Sequence, residues 1–285
     1  GQNQDYLELT DVDPDQPESE TYALLVAGKQ VTETNQNDVL EDGGSVKFDP
    51  TTNTLTLNDA DLTLDGAASV NGCIDSELAE ELTITGTATL SNADGILTDG
   101  PLTLNNADLT ITGNIDGDIG EDAIRAGRSD EDITIQNSKV TIAGTNAEGN
   151  FFNFGIRCGK LTVANSTLDV KVYGSAIVAD ELKASGAGTV ITAETDASEE
   201  QDYYALELDE LTLRDGLDLV EGSVKESKKA KIARPEQAPT DYVAYWVVRP
   251  GDDPVATMQI PGPITSSEEE TRLFEGWFLE DGTRL

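Results

Sequence analysis

Seven segments in the middle of the chain share one pattern, and that pattern leaves few folds open. They are LTLNDADLTL from Leu55, LTITGTATL from Leu82, LTLNNADLTI from Leu102, ITIQNSKVTI from Ile133, LTVANSTLDV from Leu161, LKASGAGTVI from Leu182 and LTLRDGLDL from Leu211. Aligned on their first residues, they place Asp59, Gly86, Asn106, Asn137, Asn165, Gly186 and Asp215 in one column. Asn, Asp and Gly are the residues that tolerate a left-handed backbone, so the column marks a bend made at the same place in every repeat. The first and third positions are apolar throughout, and Thr56, Thr83, Thr103, Thr134, Thr162 and Thr212 fill the second. Alternation of that kind is a strand with one face buried and a β-branched residue outside.

A second short strand precedes most of these segments: GCI at 72–74, DGI at 94–96, DAI at 122–124, FGI at 154–156, SAI at 175–177 and YAL at 204–206. The last residues of successive strands are 22, 28, 32, 21 and 29 apart. A fixed minimum with variable additions is the mark of a coil of constant circumference that carries insertions at one corner. The expectation is an all-β, right-handed parallel β-helix of about seven coils, with equivalent strands stacked ~4.8 Å apart. A β-sandwich also uses short strands and Gly-rich turns, but does not need position-by-position identity between units. A propeller needs ~40 residues per blade.

Proline sets the boundaries. Between residues 51 and 234 only Pro101 occurs, whereas Pro235, Pro239, Pro250, Pro254, Pro261 and Pro263 crowd the end, where Trp246 and Trp277 also lie. Long strand ladders exclude Pro. The chain therefore divides into an acidic N-terminal segment (1–20), an N-terminal cap (21–50), the β-helix (51–232) and a small C-terminal β module (233–285). Within the cap, TYALLVAGKQVT reads as two strands, NQNDVLEDGG as a short helix ended by Gly43, and SVKFDP as a strand. Cys73 and Cys158 fall about three ladder spacings of ~4.8 Å apart. That exceeds the ~7 Å Cα limit for a bridge, so two free, buried thiols are expected.

Composition narrows function. The sequence has 18 Lys+Arg, 55 Asp+Glu and no His, a net charge of −37. Absent His removes Ser-His-Asp and Cys-His catalysis and imidazole zinc sites. The charge opposes nucleic acid and anionic membrane surfaces as partners. No run approaches the ~20 apolar residues of a membrane span. A chain that starts at Gly1 without Met reads as one trimmed of its targeting segment. The one basic cluster, Lys225, Lys228, Lys229, Lys231 and Arg234, is either a polyanion site or a lysine-guarded edge strand.

The stretch YALLVAGKQVT…NDVL…GGSVKFDPTTNTLTLNDADL resembles the opening module of large surface proteins of gut-dwelling Gram-positive bacteria. The coils, especially DGI (94–96), AIRAG (123–127) and GIRCGKLTVANSTLDV (155–170), are similar to the bacterial carbohydrate-binding β-helix family. LFEGWFLEDGTRL (273–285) resembles the hairpin of the Listeria–Bacteroides surface repeat, a small β-grasp module of adhesins. The resemblance implies a secreted or cell-surface-anchored protein beside neighbouring surface modules. Some members of the family bind acidic or cellulosic plant polysaccharides with help from calcium. No calcium ligand of the family matches here residue by residue.

Three long insertions, Gly113–Glu121, Thr145–Asn153 and Thr195–Tyr203, leave the same corner, where a rigid scaffold presents binding loops. Asn114, Asp116, Asp118 and Asp122, with Asp94 one coil earlier, offer oxygens to a hard cation such as Ca²⁺; the plain alternative is a solvated turn. Phe151, Phe152 and Phe154, with Tyr203 and Tyr204, either stack on sugar rings or pack down to seal the coil. Arg125 and Arg157 share one ladder position, with Lys160 following. The two arginines are counted with the aromatics as candidate sugar-binding residues; a lyase-like reading would make them catalytic beside calcium, and the simpler one pairs them with surplus carboxylates. The expected function is non-catalytic polysaccharide binding, calcium-assisted or not. A structural spacer within an adhesin comes second, and a polysaccharide lyase or glycosidase third.

Overall fold

A computed structural model describes residues 19–64, 72–91, 94–113, 120–144, 152–198 and 200–235, together with the backbone of two short strands, Ala244–Trp246 and Val255–Thr257. The described residues are all-β, with no helix. The chain divides into two compact units, Gly1–Pro235 and Glu236–Leu285. In the second unit, the two short strands pair antiparallel, Ala244 opposite Thr257 and Trp246 opposite Val255. The remaining sequence-level expectations for residues 1–18 and 236–285 lie outside the described residues.

In the first unit, 18 strands form one large, mostly parallel sheet compatible with a β-solenoid. Three stacks run through it. The first starts at Thr54–Thr63 and continues through Leu82–Ser91, Leu102–Thr112 and Ile133–Gln136, then residues 161–164, 182–185 and 211–213. The second follows the bend: residues 60–63, 88–91 and 107–112, then Lys139–Gly144, Thr167–Val172 and Val190–Thr195. The third comprises Gly72–Ser76, Asp94–Thr98 and Gly120–Ala126, with the first halves of Phe152–Ala164, Ser175–Ser185 and Leu206–Leu213.

The bend column behaves as its residue types dictate. All seven members have positive φ, from 49° at Asp59 and Asn165 to 96° at Gly86. At Gly86 a Cβ would collide with the Leu57 carbonyl, so that bend needs glycine for space as well as for φ. Register follows the sequence alignment from Leu82 onward: Leu82, Leu102, Ile133, Leu161, Leu182 and Leu211 stack in turn. The first repeat departs from it. Thr54, not Thr56, lies opposite Thr83, and the register shifts between Leu57 and Ala60. This strand is also committed to a cap strand on its other side, where Val46 faces Leu57 and Asp49 faces Thr54.

Inward positions form apolar columns. Ile74, Ile96, Ile124, Ile156, Ile177 and Leu206 stack with no exposed surface, each contributing ~1.5–3 kcal/mol relative to exposure. The residue before this column is small for a packing reason. A Cβ at Gly95 would meet Ile111 and the Ala123 carbonyl, and one at Gly155 would meet Val170 and the Ala176 carbonyl. Cys73 lies in the same small-residue column, three rungs before Gly155. Cys158 lies three residues further along its own strand. Both cysteines are free and buried, and burial pushes each thiol up to about 12.

Antiparallel strands close the stacks. Thr21–Val26 pairs with Gly72–Ser76 and with Lys29–Thr32, covering the start of the third stack. Lys229–Ala233 pairs antiparallel with Val190–Thr195 and with Asp218–Glu221, covering the end of the second. The short helix expected over NQNDVLEDGG is absent; residues 33–45 form turns. The Asp38 carboxylate accepts hydrogen bonds from the backbone N–H groups of Asp42, Gly43 and Gly44, and Glu41, Gly43 and Gly44 have positive φ. A side chain that satisfies those N–H groups removes the need for a helical turn.

Candidate functional site

The third stack gathers most of the described candidate residues. Arg125 and Arg157 are ladder partners, as their spacing predicts, and Asp122 stacks beneath Phe154. Asp94 occupies the position one rung before Asp122. Arg125 Nη1 lies 3.2 Å and Arg157 Nη2 2.5 Å from the same oxygen, Asp122 Oδ2. Asp122 has no exposed side-chain surface, against 29% for Arg125 and 24% for Arg157. A carboxylate so buried is tolerable only with cations against it. The Arg157 guanidinium also sits 4.4 Å from the centre of the Phe154 ring, a cation–π contact. The Nε atoms of both arginines are buried without a hydrogen-bond partner among the described residues. One rung before Leu97 in the arginine column lies Asp75. Its carboxyl is pushed up by burial and by the nearby Glu77 and Asp99, against a smaller opposing effect of Arg125.

The third insertion folds back on the body. Tyr173 and Tyr203 meet at 6.3 Å, and Gln201 Nε2 donates to the Tyr173 hydroxyl at 2.9 Å. Lys228 donates to the carbonyls of Gln201 and Tyr203, both at 2.7 Å, and lies 5.4 Å from the centre of the Tyr204 ring. Lys225 pairs with Asp209, and Lys229 with Glu194. Arg234 Nη2 donates to the Asp215 carbonyl at 2.9 Å, so four cations of the basic cluster engage their own chain, and Lys229 and Lys231 lie on a strand that caps the second stack. That favours the edge-guard reading.

Phe152 is a correction to the aromatic surface. It is wholly buried and packs over Gly144, so it presents no ring face to a ligand. Phe154, Tyr203 and Tyr204 are half-buried. Phe151, Asn114, Asp116 and Asp118 lie outside the described residues. Among those described, no three His, Cys, Asp or Glu side chains come together to hold a metal ion. Of the proposed calcium ligands only Asp94 and Asp122 are placed, and Asp122 already faces two guanidinium groups, which a cation would have to displace.

Sequence reasoning used the Asn column as a bend marker and overlooked what lies beside it. A shallow, open groove of about 520 Å³ follows the bend between the first and second stacks, lined by Asn106, Asn137 and Asn165 on one side and Thr87, Asp108, Lys139 and Thr167 on the other. These seven side chains are exposed. The backbone beneath is tied by buried serines. Ser138 Oγ accepts from the Ala107 N–H and donates to the Gln136 carbonyl; Ser166 Oγ accepts from the Ser138 N–H and donates to the Ala164 carbonyl. The signal for the groove was in the sequence: Asn at three successive bends where Gly or Asp would serve.

A second hollow of about 450 Å³, between the third and first stacks, is lined by Glu81, Glu131, Asp132 and Thr134. Glu81 accepts from the Thr103 hydroxyl and Asp132 pairs with Lys160. The hydrogen bond to Asp132 and its charge hold the Lys160 ammonium above its ordinary value.

Comparison of the chain with family models, with curated proteins and with solved structures finds no match in any of the three.

Proposed function

We propose that this protein is a secreted or cell-surface module that binds polysaccharide without catalysis, built on a right-handed parallel β-helix of about seven coils. The supporting observation lies in the third stack. There, half-buried Arg125, Arg157, Phe154 and Tyr204 lie on one set of rungs at the bases of the insertions. Ring faces beside hydrogen-bond donors suit sugars, whose C–H faces are apolar and whose hydroxyls need partners. A glycan array with and without EDTA tests the reading. Binding of at least one plant or host glycan is the expected result; weakening by EDTA would add calcium to the account, and binding that ignores EDTA removes it. Silence in both conditions removes the polysaccharide.

The spacer reading keeps one specific observation in its favour. Phe152 is core, and Tyr203, Tyr204, Arg125 and Arg157 all contact side chains or backbone of their own chain. A stalk that only separates neighbouring surface modules would be silent on the array, and exchanging Arg157 and Phe154 together for an apolar pair would lower its stability, because the buried Asp122 carboxylate would lose one of its two guanidinium partners.

A further inference from the structure

We propose that the groove along the bend is a binding surface for a linear, uncharged polysaccharide, which lies along the stacking direction and hydrogen-bonds to Asn106, Asn137 and Asn165. The inference rests on the polysaccharide reading above but assigns it a different corner of the fold. Three observations carry it.

The amides are not needed where they are. Positive φ at this column is met by Gly or Asp in the other four repeats, and the hydroxyls of Ser138 and Ser166 tie the backbone of the bend. Asn106 donates to the neighbouring Asn105 side chain at 2.9 Å, whereas the Asn137 and Asn165 side chains make no hydrogen bond among the described residues. Each primary amide brings two donors and an acceptor; the Asn165 oxygen lies against Gly186 on the next rung, and the exposed Asn106, Asn137 and Asn165 side chains otherwise keep most of this capacity unused by the chain.

The spacing is right for a sugar chain. Successive rungs are ~4.8 Å apart, close to the advance per unit of an extended hexose polymer. Four rungs line the groove, from Thr87 to Thr167. They span three such spacings, ~14 Å, room for three or four units.

The charge is right for an uncharged ligand. In a chain of net charge −37, this lining holds one acid and one base, Asp108 and Lys139, which face each other at 3.9 Å. A peptide strand is not served here: the groove runs across paired strands, whose backbone N–H and C=O groups are already used in the ladder.

The test is an NMR titration of the whole chain with cellotetraose, mannotetraose and xylotetraose, and with trigalacturonate as the charged counterpart. The side-chain amide signals of Asn106, Asn137 and Asn165 are expected to move with at least one uncharged sugar. The triple variant Asn106→Gly, Asn137→Gly, Asn165→Gly keeps a residue suited to the bend, as Gly86 and Gly186 do. It should weaken binding about tenfold or more with the far-UV circular dichroism unchanged. Unchanged affinity in the folded variant overturns the groove and leaves polysaccharide binding to the other face. Should the variant not fold, wild-type signals that stay still while sugar binds overturn the groove equally. Binding of trigalacturonate alone overturns the uncharged ligand. Failure of every sugar here, with silence on the array, overturns both readings.

Discussion

At Asn137 the backbone is held at φ 50°, where a Cβ crowds the following carbonyl and ordinary L-residues are disfavoured by ~1–2 kcal/mol. Asn137→Ala should therefore destabilise the first unit by about 1 kcal/mol more than Asn137→Gly does, read as a difference in urea midpoint at constant slope. Equal midpoints would mean that the bend relaxes and that the column is not constrained. This residue also shows how far the sequence could be read. A side chain that tolerates left-handed backbone is recognisable from its type, so all seven bends were legible. Whether the amide then turns inward to hold backbone or outward to solvent depends on its neighbour. Ser138 and Ser166 decide that question, and their hydroxyls reach across rungs that only the register brings together.

Elements differ in how much of their environment they carry with them. The strands of the stacks were readable because apolar-Thr-apolar alternation is enforced by one buried face. Residues 33–45 form turns where local propensity suggests a helix, because the hydrogen bonds from Asp42, Gly43 and Gly44 to Asp38 depend on chain geometry that propensity does not report. Phe152 takes the packed-down alternative for a related reason: its ring lies against Gly144, which ends the preceding strand of the same coil, and only the fold brings the two together. The arginine ladder follows from the repeat spacing, yet its shared anion is the consequential feature. Asp122→Ala leaves the Arg125 and Arg157 guanidiniums half-buried without that carboxylate and is expected to cost about 3 kcal/mol. A loss under about 1 kcal/mol in thermal or urea unfolding would show that solvent or another acid replaces it.

A second charged ladder crosses the end of the second stack, where Glu194 lies 3.1 Å from both Lys171 and Lys229. Burial acts to raise the Glu194 carboxyl, but hydrogen bonds from Lys229 and Lys171 outweigh it and leave it below its ordinary value of 4.5. For an acid with a depressed folded value, the stabilisation is fully present above the unfolded value. It is lost as pH falls through the folded one. Glu194→Gln should thus lower stability at pH 7 by about 0.5 kcal/mol, since both lysines are half-exposed or more. The gap between variant and parent should close as pH drops below 4.5, in a series of urea titrations. A gap of constant size down to pH 3 would assign the effect to packing rather than charge.

Across the whole chain, 55 acids against 18 bases set a problem that no single pair solves. Parallel stacking aggravates it, because equivalent outward positions meet at ~4.8 Å, well inside the ~10 Å Debye length at 0.1 M salt. Glu181 and Glu210 are ladder partners of this kind. Opposing them are exposed pairs such as Lys29–Glu41, Lys139–Asp108 and Lys225–Asp209, each worth at most ~1 kcal/mol. Added salt weakens attraction and repulsion alike, so the sign of its effect reports which dominates. With acids outnumbering bases so heavily, repulsion should win. Raising sodium chloride from about 10 mM to about 150 mM, a range over which the Debye length falls from ~30 Å to ~8 Å, should raise the Tm. A relief of 1 kcal/mol corresponds to ~2–4 °C for a unit of this size. The same step at pH 4, where part of the acid is protonated, should raise it less. A Tm that falls with salt at pH 7 would mean that the ion pairs carry more of the stability than the surplus acid removes.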